Sequence, residues 1–281
     1  MKSFLKKSVS RAARYVAREM ADELSRIAIS DAPNVVPDGP QTVRLDIPDA
    51  LEQLSSNKAK MALVEFFAMN HRWVAQLSER NRRTAVSTYD FVEAQMNEAV
   101  FIVDQFKVIE SKADQAMELD GQILDLGVYK GASTRSLARI FPDRKIHGFD
   151  SFEGLPEDWS HDLKGSFGHI AGALPNVPNN VSLWPGWFED SLPQWMQDHS
   201  GSPISILRID CDIYSSTKTI FDVLEPLIQA GTWIVFDELI GLRGWEQHEY
   251  KAFLEFIART GLKHEYIAYG LSYTIVRLSE S

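Results

Sequence analysis

From Gly121 onward the chain alternates short β-rich runs with helical stretches. "ILDLGV", "KIHGFD", "VSLWPG", "ISILRID", "TWIVFD", "EYIAYG" and "SYTIVRL" are separated by segments such as "STRSLARIF", in which apolar residues recur every three or four positions. Short, nearly continuous apolar runs are strands buried on both faces, and their alternation with helices predicts a mostly parallel sheet, doubly wound, with helices on either side. In such open sheets a ligand sits outside the carboxyl ends of the strands, near the point where strand order reverses. Those ends fall on Asp125 to Gly127, Asp150, Gly186, Asp210 and Asp237. Two of them carry a second acid close by, Asp212 after Asp210 and Glu238 after Asp237. Neighbouring carboxylates raise one another's pKa and weaken a fold locally unless a cation lies between them.

The residues before Gly121 differ in character. From about Ala50 to Glu118 the apolar spacing is helical and predicts two or three helices. "SDAPNVVPDGPQTVRLDIPDA" reads as a linker or surface loop. The opening residues form a basic amphipathic segment, Lys2, Lys6, Lys7, Arg11, Arg14 and Arg18 interleaving with Leu5, Val9 and Val16. Residues 2–18 therefore suit weak contact with an anionic membrane surface, packing on the domain, or packing on a second subunit. The resulting division is a helical region over 1–118, serving as acceptor pocket, lid or dimer face, and a ligand-binding domain over 119–281. A homo-oligomer is expected.

No apolar run approaches the roughly 18 residues that cross a bilayer, and no secretory signal pattern opens the chain. A formal charge of −10 argues against a nucleic-acid surface, which needs a basic face. The lone cysteine, Cys211, lies inside an apolar strand and suits a reducing, cytoplasmic setting.

"ILDLGVYKGAS" has the form Asp-x-Gly-x-x-x-Gly between a strand and a helix. Gly127 and Gly131 let the backbone turn sharply and approach a ligand. Neither the dinucleotide fingerprint nor a phosphate-binding G-x-x-x-x-G-K-[ST] is present, which disfavours NAD and ATP. Asp125 at the strand tip would repel a pyrophosphate but accept from a ligand ammonium, and S-adenosylmethionine carries an ammonium and no phosphate. Asp150 lies 25 residues beyond Asp125, about where an acid grips ribose hydroxyls in nucleoside-binding folds. Trp187 or Phe188, in "PGWFEDSLP", offers a face for adenine. Ser133, Ser151 and Gly186, on the same turns, complete the expected cofactor contacts.

"GVYKGAS", "HGFDSFEGLP", "VPNNVSLWPGWFEDSLP", "LRIDCDIYSST" and "GTWIVFDEL", in this order, resemble the macrocin O-methyltransferase family over about Gly121 to Gly270. The resemblance implies a seven-stranded Rossmann-like sheet, S-adenosylmethionine as methyl donor, and methylation of a hydroxyl, often on a sugar of a natural product. It also implies a divalent metal, usually Mg2+, held at the ends of the fourth and fifth strands, which here means Asp210, Asp237 and Glu238. Where members often read Asp-Asp-Tyr, this chain reads Asp237-Glu238-Leu239, without ring or hydroxyl at the third position.

On this reading the metal orients an acceptor hydroxyl, and Asp210 or Asp212 takes its proton. His248, after the fifth strand, is a further candidate base or acceptor contact, with a structural histidine at a helix start as the alternative. Two other functions compete. Asp210-Cys211-Asp212 is also the Asp-x-Asp of metal-dependent glycosyltransferases, and a catalytically silent relative would keep the fold as a binding subunit. Helix capping is the plain alternative for the acids, and Ser215 or Ser216 is expected to cap the helix after Asp212.

Overall fold

The computed structural model describes residues 79–159, 163–168 and 174–280. Residues 83–281 form one compact unit. The basic segment 2–18, the Pro-rich stretch and the helical pattern before residue 79 lie outside the described residues. Among the described residues no helix is long and apolar enough to cross a membrane.

The strands are β1 (Val100–Phe101), β2 (Gln122–Leu126), β3 (Ile146–Asp150), β4 (Val181–Pro185), β5 (Ile204–Ile209), β6 (Trp233–Phe236), β7 (Lys263–Tyr269) and β8 (Thr274–Ser279). The helices are α1 (Glu79–Gln95), α2 (Gln105–Ser111), α3 (Ala113–Ala116), α4 (Ala132–Ile140), α5 (Phe188–His199), α6 (Tyr214–Leu224) and α7 (Glu249–Thr260). All eight strands join one sheet in the order β1-β7-β8-β6-β5-β2-β3-β4, in which only β8 runs antiparallel to its neighbours. The seven strands legible in the sequence are all present. The eighth, β1, interrupts the stretch read as helical throughout. Asp104 explains the break: its carboxylate accepts from the Phe106 backbone N–H at 3.0 Å, so a new helix starts at Gln105. The β-branched and aromatic residues ahead of it pair with the edge of β7.

Strands β2, β3 and β4 progress outward on one side and β5 and β6 on the other, so strand order reverses between β2 and β5. Ladder bonds continue past the strand ends. Gly127 N donates to Phe149 O (2.9 Å), Gly186 N to Asp150 O (3.0 Å), Asp210 N to Leu126 O (2.8 Å) and Asp237 N to Ile209 O (3.0 Å). The five strand tips are thereby held along a single edge. Strand β5 is buried at every position, including the charged Arg208 at 3 % exposure.

His147 on β3 is 4 % exposed, accepts from Trp184 Nε1 at 3.2 Å through Nδ1, and meets the rings of Trp195 and His199 edge-on. Burial, with His199 and Lys145 adding, lowers its pKa from 6.5 to about 4. The unfolded chain therefore takes up a proton that the folded one refuses, and stability that is complete above pH 6.5 falls as pH drops toward 4. In urea denaturation at about pH 7.5 and about pH 5, wild type should lose about 1–2 kcal/mol more than His147→Gln, which keeps an acceptor and cannot be charged. Equal losses would remove His147 as the cause.

Candidate active site

The site begins where strand order reverses. Gly127 there adopts φ +99°, and a Cβ on it would lie 1.8 Å from the backbone oxygen of Asp210. Only glycine lets the tips of β2 and β5 close to this distance. Gly131 follows at φ +74° as the N-terminal cap of α4. Beyond these tips opens a cavity of about 620 Å³, a size that encloses a nucleoside-sized ligand.

One wall gathers around Asp150. Asp150 Oδ2 accepts from Tyr129 N and Oδ1 from Phe152 N, each at 2.6 Å, so one carboxylate ties the turn after β2 to the turn after β3. Burial raises its pKa, while these N–H donors oppose the rise. Ser151, Gly186, Trp187 and Phe188 line the same wall, the two aromatics standing at the start of α5. Tyr129 also lines the cavity, in a left-handed conformation (φ 46°) and edge-on to Phe167 at 5.9 Å.

The opposite wall is acidic, formed by Asp210, Asp212 and Glu238. Behind it lies the residue that the sequence reading missed. Arg208 Nη2 donates to Asp210 Oδ2 at 2.8 Å and to Asp237 Oδ1 at 2.7 Å, while Nη1 donates to Asp125 Oδ1 at 3.1 Å. Part of the cation demanded by the carboxylates is thus built into β5. The signal was an arginine inside an otherwise apolar strand, since a charge is buried only when paired.

Asp125 turns inward. It is fully buried, and its second oxygen accepts from Ser133 Oγ at 2.9 Å and Thr134 Oγ1 at 2.5 Å. Asp125, Gly131 and Ser133 support the tip of β2 from behind and do not line the cavity. Leu239 is fully buried in the core.

Asp210, Asp237 and Glu238 each offer an oxygen within 4.8 Å of the others. Asp237 is also bound by Gln105 Nε2 at 2.5 Å, a contact reaching over from α2. Burial pushes the pKa of Asp210 up to about 7, with Asp237 and Asp212 adding and Arg208 opposing. Glu238 is raised well above the usual carboxylate range for the same first reason, and its Oε2 is buried without a partner. Glu249, a second missed residue, opens α7 fully buried and accepts from Glu238 N at 3.3 Å. Burial and the surrounding acids raise its pKa strongly as well.

His248 stands outside the cavity lining, its ring 6.5 Å from that of Trp159, which does line it. Burial lowers its pKa while Glu157 opposes the change. The N-terminal cap position of α6 is Ile213, with no side-chain bond, and Ser215 donates instead to Glu157 at 3.0 Å. The expected serine cap at this helix is thereby corrected.

A family model described as Macrocin-O-methyltransferase (TylF) matches residues 51–264. The chain belongs to the macrocin O-methyltransferase family. Among similar proteins, the 8-demethyl-8-(2,3-dimethoxy-alpha-L-rhamnosyl)-tetracenomycin-C 4'-O-methyltransferase of Streptomyces olivaceus is 30 % identical, over 42 % of this chain and 52 % of its own. The mycinamicin III 3''-O-methyltransferase of Micromonospora griseorubida is 24 % identical, over 42 % and 55 %. The chain thus spans about half the length of the curated relatives it matches. The crystal structure of the calicheamicin methyltransferase CalS11 superposes with a TM-score of 0.52 at 17 % identity, covering 87 % of this chain and 99 % of that one. That likeness is one of fold.

The close approach at Gly127 separates two costs of adding a methyl group. Gly165 has a similar φ of +85° but nothing within 4 Å of an added Cβ. Gly165→Ala should cost about 1 kcal/mol from backbone strain alone, and Gly127→Ala at least about twice that, read as a shift in urea midpoint. Equal costs would mean that the β2–β5 contact tolerates a Cβ.

Proposed function

We propose that the chain is an S-adenosylmethionine-dependent, Mg2+-assisted O-methyltransferase acting on a sugar hydroxyl of a natural product or glycan. The observation that carries this reading is the pairing of walls in one cavity: Asp150, Trp187 and Phe188 on the side that suits a nucleoside, Asp210, Asp212 and Glu238 on the other. Family membership and the names of the relatives, which specify methylation of a rhamnosyl-bearing tetracenomycin and of mycinamicin III, support the reaction class and a sugar-bearing acceptor.

A divalent cation fits the donor set. Three carboxylates converge within 4.8 Å, and the buried Oε2 of Glu238 lacks a partner. Mg2+ prefers a few carboxylate oxygens plus waters and substrate oxygens, and Asp210, Asp237 and Glu238 would supply such a set. When bound, it would lower the pKa of an acceptor hydroxyl, much as metals do for bound water.

The chain's own residues do the rest. Asp150 fixes the turns that would bracket the ribose, and Trp187 with Phe188 would hold the adenine. This placement aims the donor methyl at the acidic wall. There Asp210 or Asp212 takes the hydroxyl proton as the acceptor C–O bond forms and the donor C–S bond breaks. Arg208 keeps Asp210 oriented from behind.

The glycosyltransferase alternative needs a nucleotide-sugar diphosphate. Asp125 no longer argues against it, because that carboxylate is spent on Arg208 and the α4 hydroxyls. The family match weighs against it instead.

Calorimetric titration with S-adenosylhomocysteine and with UDP-glucose, each with and without Mg2+, tests the proposal. Metal-independent binding of the former is expected; binding of the nucleotide sugar alone, and only with metal, would replace this reading with the glycosyltransferase one. In a methylation assay, Asp210→Asn should abolish turnover while S-adenosylhomocysteine affinity stays within about threefold of wild type. Full activity in that variant would remove Asp210 from the chemistry.

A further inference from the structure

We propose that Arg208 and Gln105 set the cation preference of the site, by occupying one oxygen of Asp210 and one of Asp237 and thereby selecting Mg2+ over Ca2+. The inference rests on the divalent-cation reading above and concerns which ion that site takes.

The hydrogen bonds divide the carboxylate oxygens. Arg208 Nη2 claims Asp210 Oδ2 and Asp237 Oδ1, and Gln105 Nε2 claims the same Asp237 Oδ1. Asp210 Oδ1 and Asp237 Oδ2 are left for an ion, one from each residue. The amide presents its NH2 to this oxygen.

The arrangement is stiff. The other guanidinium nitrogen is held by Asp125, which Ser133 and Thr134 hold in turn. The Phe106 ring covers the guanidinium at 5.7 Å from its centroid. Neither aspartate can rotate to present both oxygens without breaking bonds to a buried cation.

Ion chemistry converts this into selectivity. Ca2+ gathers six to eight oxygens in flexible geometry and often uses a carboxylate through both of its oxygens, whereas Mg2+ takes near-octahedral geometry at shorter distances and keeps waters. A site restricted to one oxygen per aspartate lacks the extra ligands that favour Ca2+. Arg208 and Gln105 are positioning residues in this scheme, acting through the aspartates.

The test is calorimetric titration of the full chain with MgCl2 and with CaCl2, in wild type, Gln105→Leu and Arg208→Lys. Wild type should bind Mg2+ more tightly than Ca2+. Gln105→Leu, which loosens Asp237 while leaving the buried ion pair intact, should lower the Mg2+ to Ca2+ affinity ratio by about tenfold, and Arg208→Lys, which gives up the second nitrogen that Asp125 anchors, by more. The ratio is the decisive quantity, because a general loss of fold weakens both ions together. An unchanged ratio in Gln105→Leu, or a wild type that favours Ca2+, overturns the inference and leaves the metal reading standing. If neither ion binds wild type, the metal reading falls and takes the inference with it. Should Arg208→Lys fail to fold, Gln105→Leu decides alone.

Discussion

A guanidinium buried in the middle of a parallel sheet is the constraint around which the rest of this domain is arranged. Arg208 is 3 % exposed and meets acids from three adjacent strands: Asp125 within β2, Asp210 after β5 and Asp237 after β6. A charge removed from water this far survives only when its partners are well placed and its remaining bonds are satisfied. The pairing therefore makes the tips of three strands interdependent. It also leaves the mouth of the site with more negative than positive charge. The raised pKa values of Asp210, Glu238 and Glu249 express that excess, since burial and mutual repulsion both favour a proton on these groups.

The sheet supplies the precision this arrangement needs. Backbone bonds run past the formal strand ends, so Gly127, Asp210 and Asp237 keep ladder register where side chains must meet. Glycine at 127 brings two tips into contact at the reversal of strand order. Asp150 then stitches the turns on the nucleoside side. One edge thus carries aromatic side chains, Trp187 and Phe188, on one side and carboxylates, Asp210 and Glu238, on the other.

Much of this was legible in the sequence, and the limits were physical. The seven strands showed because strands buried on both faces read as continuous apolar runs, and their ends could be located because a carboxylate cannot continue such a run. Periodicity could not show direction. It placed Asp125 at a strand tip without revealing that the side chain turns inward to Arg208, Ser133 and Thr134. Nor could it show that Gln105, distant in sequence, reaches Asp237, because such contacts depend on how α2 crosses the sheet. Strand β1 was hidden in a helical pattern because two residues are too few to set a period. Glu249 opens its helix, and its burial comes from the packing of α7.

The position of β8 has a consequence for the order in which the site can form. This strand, Thr274–Ser279, is inserted between β6 and β7, so β6 has β5 on one side and nothing on the other until the latest part of the described chain arrives. During synthesis, the strand that presents Asp237 and Glu238 emerges with an open apolar edge. Its second neighbour in the sheet follows it in sequence, which leaves a window of exposed edge before that pairing forms. Until that pairing forms, the strand leading into Asp237 and Glu238 is a sheet edge on one side.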